Sequence, residues 1–164
     1  MAVVNDVIYE NSSTSIKKAV KVGGSDAIFV ATTFEVDSGD SSGSTYRIAK
    51  VPSNYVPVKI EINNDAISGL TDVDLGLYLT SEFGGTAKDA DLLVDGADLS
   101  SAHVIGSELE GMSALDVSKI GDNLASLVSD VVSEYQAYDL VLTINADAGA
   151  SGTVSVRAIF VNGA

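Results

Sequence analysis

The chain has 164 residues, a mass of 16.8 kDa and a formal net charge of −14, and its 46% hydrophobic content comes almost entirely from aliphatic residues and alanine, with 6% aromatics and no tryptophan. One domain of this size buries about 70% of its unfolded surface, and the lack of cysteine excludes disulfides, thiolate catalysis and zinc–thiolate sites. So acidic a body repels phosphate backbones, which argues against a nucleic-acid partner; no apolar run approaches the roughly 20 residues of a membrane span, and residues 1–10 have neither the basic start nor the apolar stretch of a signal peptide, so synthesis in a cytoplasm without signal cleavage is expected.

Charge divides the chain unevenly. Residues 1–25 are net +1, with Lys17, Lys18 and Lys21 against Asp6 and Glu10, whereas the other 139 residues hold 21 acids and six bases. The first 25 residues read as an extended arm ending at Gly23 and Gly24, and residues 26–164 as a single sandwich domain. In the arm, Val3, Val4, Val7, Ile8 and Ile16 are the candidate apolar contacts and Lys17, Lys18 and Lys21 the candidate charged ones. A first body strand is expected over residues 27–36, nearly all apolar or β-branched and hence covered on both faces. Residues 37–44 (DSGDSSGS) read as a loop with no reason to fold, and a second strand as 45–51.

Two runs then alternate with period two. Val56, Val58, Ile60 and Ile62, and after them Val73, Leu75, Leu77 and Leu79, face a core, while Lys59, Glu61, Asp74, Gly76 and Tyr78 face water. The turn-rich residues 64–71 between them predict an antiparallel pair, with Pro57 at an edge or a bulge. Residues 89–98 read as an acidic loop. Ile120, Leu124, Leu127, Val128 and Val131 have helical spacing and predict a helix over 118–131, capped by Asp116 or Ser118 and weakened by Gly121. Strands at 138–145 and 153–161, joined in hairpin fashion, add Leu140, Leu142, Ile144, Val154, Val156 and Phe160 to the core. The expected architecture is all-β: an antiparallel sandwich of seven or eight strands with one short helix.

No catalytic constellation accompanies this pattern. Gly39 to Gly43 formally matches G-x-S-x-G, but a nucleophile elbow needs a strand running into a helix, and this stretch lies between two strands. The single histidine, His103, has no acidic or histidine neighbour at ligand or triad spacing. Asp89, Asp91 and Asp95 alternate imperfectly before Gly96, lacking the third alternate ligand and the distal glutamate of a calcium loop. A glycosidase pair among the carboxylates would need aromatic platforms that a chain without tryptophan supplies poorly. No enzyme, cofactor or metal is expected.

The segments TYRIAKVPSN at 45–54, INNDAI at 62–67, TDVDLGLY at 71–78 and DADLLVDGADL at 89–99, with YDL at 138–140 and GTV at 152–154, resemble small structural proteins of tailed-bacteriophage virions, over about residues 45–161. They are similar to capsid decoration, or cement, proteins. The resemblance implies a jelly-roll-like sandwich on the outside of the shell that clamps adjacent major capsid subunits, with the major capsid protein and copies of itself as partners, and no enzymatic role. The alternative is a carbohydrate- or receptor-binding sandwich that uses exposed aromatics in its loops, with Tyr78, Phe83 and Tyr135 as candidates; a hydrolase would need His103 or two carboxylates to converge in a pocket.

Overall fold

Consecutive strands of this chain mostly change sheets instead of pairing with each other. The structure, a computed structural model, describes residues 3–5, 20–21, 27–131 and 135–163. Its strands are β1 (Val3–Asn5), β2 (Val20–Lys21), β3 (Ala27–Val36), β4 (Thr45–Pro52), β5 (Tyr55–Asn64), β6 (Val73–Leu79), β7 (Ala87–Ala97), β8 (Leu109–Glu110), β9 (Ala137–Ile144) and β10 (Gly152–Asn162). Sheet A has the order β1-β4-β9-β6-β7 and sheet B the order β2-β3-β10-β5-β8. Every pairing is antiparallel except that of β1 on β4, which is parallel. Counting the eight body strands from β3, sheet B reads first, eighth, third, sixth and sheet A second, seventh, fourth, fifth, which is the jelly-roll arrangement.

This topology corrects two expected pairings. β5 and β6 lie in different sheets, and so do β9 and β10; residues 65–72 and 145–151 therefore cross between sheets instead of closing hairpins. Alternation dictates which face of a strand is buried and is silent about which strand lies beside it. The inner faces meet as expected in Ile60, Ile62, Leu75, Leu77, Leu140, Leu142, Val154, Val156 and Phe160, all fully buried.

Burial departs from expectation in three strands, the first of them β3, expected to be covered on both faces. β3 alternates, with Val30, Thr32, Phe34 and Val36 buried and Phe29, Ala31, Thr33 and Glu35 exposed, so it is covered on one face only. In β5 the register on β10 slips, with Phe160 opposite Pro57 but Ile159 opposite Lys59. This bulge at the proline turns Pro57 inward and leaves Val58, an expected core residue, 50% exposed. All seven residues of β6 are buried, including Asp74, Gly76 and Tyr78, because sheet A is covered on its outer face as well.

β7 supplies part of that cover. Residues 89–98, expected as a loop, lie almost entirely in this strand, whose register on β6 jumps from Leu75 opposite Val94 to Leu77 opposite Asp89. The surplus residues arch over Gly76 so closely that a Cβ there would stand 2.1 Å from the Asp89 carbonyl oxygen and 2.4 Å from the Ala90 carbonyl carbon. The helix expected over 118–131 is two separate turns instead: a 3-10 turn at Val117–Lys119, where Asp116 accepts from the Ser118 amide, and helix α1 at Leu124–Leu127, where Asn123 accepts from the Ser126 amide. Gly121, at φ +97°, breaks the helix between them. Leu124 and Leu127 are buried, while Ile120 and Val131 face water.

Both described pieces of the N-terminal region lie at sheet edges: β1 pairs with Thr45–Arg47 of β4, and β2 with Phe29 and Ile28 of β3. Of the candidate arm contacts, Val3, Val4 and Lys21 fall in these strands, and Val7, Ile8, Ile16, Lys17 and Lys18 lie outside the described residues.

Gly76→Ala forces backbone apart and should destabilise the fold by about 1–3 kcal/mol or more, as overpacking does. Gly39→Ala, at a glycine with open space around it, should be nearly neutral. Thermal unfolding of the two variants checks this: equal midpoints would show that β7 does not press on β6.

Candidate interaction surface

The two sheets treat their outer faces differently. On sheet A, Arg47 of β4 and Asp139 of β9 form a buried ion pair, Nη1 to Oδ2 2.6 Å, with the Asp139 side chain fully buried. The guanidinium also donates to the carbonyls of Leu79 at 3.3 Å and Gly85 at 2.6 Å, and it lies 5.7 Å from the Tyr78 ring centroid. Gly85 sits at φ +65°, and an added Cβ would come within 2.9 Å of Arg47 Nη2, so the β6–β7 connection is drawn down onto the sheet. Tyr78 and Thr143 share a hydrogen bond between hydroxyls at 2.8 Å. Asp74 accepts from the Gly96 amide at 2.9 Å and from Asn145 Nδ2 at 2.6 Å. Thus Asp74 and Tyr78, expected in water, are buried among partners, as polar groups in an interior must be, and Tyr78 is unavailable as an aromatic contact for a ligand.

Among the described residues, the outer face of sheet B carries exposed apolar side chains. Phe29 of β3 lies opposite Ile159 of β10, which lies opposite Lys59 of β5. Phe29 is 39% and Ile159 37% exposed, with Val58 of the bulge one residue from Lys59. The half of this face nearer residues 37–44 is polar: Thr33 and Ser155 share a hydrogen bond at 2.7 Å, and Thr153 donates to Glu35 at 3.2 Å. Between the halves Arg157 bridges Glu61 at 3.2 Å and Glu108 at 3.6 Å, and Glu61 also pairs with Lys59. That contact holds the Lys59 ammonium above its usual pKa range, first through the hydrogen bond and then through the charge.

The ends of the sandwich differ too. Loops 37–44, 65–72, 98–108 and 145–151 contain seven acids and no lysine or arginine. They are tied together: Asp147 accepts from the Ser42 amide at 2.8 Å, the Gly149 amide donates to the Ser68 carbonyl at 2.7 Å, and Asn64 Nδ2 donates to the carbonyls of Leu99 at 3.0 Å and Ser101 at 2.9 Å. Asp40 accepts from the Asp37 amide and the buried Tyr46 hydroxyl, so residues 37–44 are anchored, contrary to expectation. Burial first, then Asp40, pushes the Tyr46 phenol well above its usual range. His103 is part of the same tie, its Nδ1 2.9 Å from Asn64 Oδ1, and β4, a strand, follows the G-x-S-x-G match.

At the opposite end, the Ala125 amide donates to the Ser53 carbonyl at 3.0 Å, Lys88 pairs with Asp130 at 2.8 Å, and the Phe83 and Tyr135 rings meet edge to face at 5.2 Å. Phe83 and Val131 are exposed there, and of the exposed large hydrophobics only Val104 and Ile105 belong to the acidic loops. An open depression of about 270 Å³ is lined by Asp89, Asp91, Asp95 and Lys119 among others. Burial, and next a hydrogen bond with Asp91, raise the Asp89 carboxyl above its ordinary range. Among the described residues no three His, Cys, Asp or Glu side chains converge as a metal set, and no helix is long and apolar enough to cross a membrane.

The sequence reading missed the Arg47–Asp139 pair, the Asn64 tie and the open Phe29–Ile159 row. The first had a signal, because Arg47 and Asp139 each interrupt apolar strands, and charges so placed are buried only when paired.

No protein-family model matches the chain, and no curated protein sequence does. Among solved structures it is similar to a chain of the capsid of Ralstonia phage GP4, with TM-score 0.63 and 13% identity over 99% of each chain. It is also similar to a chain of the cyanophage Pam1 capsid asymmetric unit, with TM-score 0.52 and 13% identity over 92% of this chain and 96% of that one. At this identity the likeness establishes a shared fold, spanning nearly the whole chain.

Arg47→Met strands a fully buried carboxylate and should cost about 3–5 kcal/mol in denaturant unfolding; Arg47→Met with Asp139→Leu should recover most of it, since apolar replacement of a whole buried pair is often neutral or better. A double variant no more stable than the single one would contradict this account of the pair.

Proposed function

We propose that this chain is a structural protein of a tailed-bacteriophage virion that sits on the outside of the capsid and stabilises the shell by clamping adjacent major capsid subunits. The observation that carries the reading is the near full-length likeness of fold to chains of two phage capsids. The placement of His103 is compatible with it, since its Nδ1 meets Asn64 Oδ1 in a tie between loops.

The docking face in this reading is the apolar half of sheet B's outer surface, with Phe29, Ile159 and Val58 at its centre and Lys59 beside them. Apolar anchors next to a partly desolvated charge network are where binding energy concentrates. Residues 1–25 extend the contact, with Lys17, Lys18 and Lys21 directed to carboxylates of the capsid subunits. Exposed ion pairs contribute only about 0–1 kcal/mol each, so Val3, Val4, Val7, Ile8 and Ile16 must contribute burial as well. The acidic loop end faces solvent. Binding only the assembled lattice stabilises it by mass action, and small contributions per copy add over many copies.

Particles made without the protein should assemble yet break at lower temperature, and adding purified protein should restore them. Phe29→Ser combined with Ile159→Ser, both partly buried, should lower the unfolding midpoint while leaving the chain folded, and lower affinity for bare particles about tenfold, the equivalent of 1.4 kcal/mol. Deletion of residues 1–25 should lower it further. Equal particle stability with and without the protein, or loss of host adsorption as the sole defect, would favour the receptor-binding alternative.

A further inference from the structure

The two short N-terminal strands are attached to the body in different ways. Five residues separate β2 from β3, so their antiparallel pairing is a hairpin that closes within one chain. β1 instead contributes three residues, paired in parallel with Thr45–Arg47 of a β4 that is eight residues long. Fourteen residues, 6–19, connect β1 to β2. Such a link can reach about 50 Å when extended, whereas packed sheets lie only about 10 Å apart. β1 lies toward the Thr45 end of β4 and β2 toward the Ala27 end of β3, about 20 Å apart, so the link is roughly twice as long as its own body requires.

Nothing in the β1–β4 pairing identifies the chain it comes from. Main-chain donors and acceptors on a sheet edge accept any strand of suitable register, and the β4 edge of one copy is the same as that of the next.

We propose that β1 is exchanged between copies of this chain: Val3–Asn5 of one copy add to the Thr45–Arg47 edge of a second, extending its sheet A, while β2 stays on its own β3. The link holds β1 near its own β4 at an effective concentration of about millimolar. Dilute protein is therefore closed on itself, and exchange takes over where copies are crowded to a similar concentration. Swapping one terminal element in this way joins identical subunits without any new kind of contact. The inference concerns contacts between copies and does not depend on the virion reading.

The absence of cysteine makes a direct test simple. Val3 and Thr45 are opposite each other in the register, as a disulfide requires. Full-length Val3→Cys and Thr45→Cys variants are purified separately, mixed at concentrations from about 1 μM to about 1 mM to bracket the effective concentration of the link, oxidised, and analysed on non-reducing gels with peptide mapping. Val3→Cys mixed with Thr33→Cys is the control, since Thr33 is exposed on sheet B. Exchange predicts a heterodimer bonded between positions 3 and 45 whose yield rises with concentration to at least tenfold above the control. It also predicts that the double variant Val3→Cys/Thr45→Cys closes internally when dilute. A mixture that never exceeds the control overturns the proposal, as does a double variant that fails to close.

Discussion

The Arg47–Asp139 ion pair governs how the outside of this sandwich is divided. Two charges in mid-strand positions of adjacent strands can be buried only if the remaining guanidinium hydrogens also find acceptors, because desolvation otherwise exceeds the Coulomb gain. Here the carbonyls of Leu79 and Gly85 supply them, so the β6–β7 connection has to fold back over sheet A instead of extending into solvent. Gly76 then lets β7 arch across β6 at a distance no side chain would permit. The result is a sheet buried on both faces, with Asp74, Tyr78 and Thr143 drawn into the same layer and satisfied by neighbours.

A jelly roll covered this way on one side has its other sheet left to face the surroundings. Sheet B does so with an apolar row at one half, a hydrogen-bonded polar half at the other and the Arg157 network between. The long axis has its own polarity: acidic loops locked together at one end, and at the other exposed Phe83 and Val131 beside the Lys88–Asp130 pair. The same molecule presents loops tied together at one end and an exposed apolar row on sheet B.

Much of the fold was legible in the residues. Period-two runs located β5 and β6, the two closing strands fell where β9 and β10 lie, and Pro57, expected at an edge or a bulge, sits at the bulge. Which strands pair was not legible, because alternation at β5 and β6 is satisfied equally by a hairpin or by a crossing between sheets. The failed alternation in β6 and the unrecognised strand β7 share one cause, the tertiary cover over Gly76, which leaves no local trace beyond a glycine in an apolar run. The helix expected near residue 120 broke at Gly121 because its apolar spacing was partly accidental, with Ile120 and Val131 facing water. For the surface, charge separation along the sequence was readable in advance, but the Phe29–Ile159 row required the register of β3 against β10.

The most direct measurement is a density map of the intact particle at side-chain resolution. The account predicts this chain on the outer surface of the shell, with Phe29 and Ile159 packed against capsid subunits and the loops at 37–44, 65–72 and 145–151 pointing into solvent. Phe29 and Ile159 free in solvent, with the acidic loops seated on the shell, would contradict it.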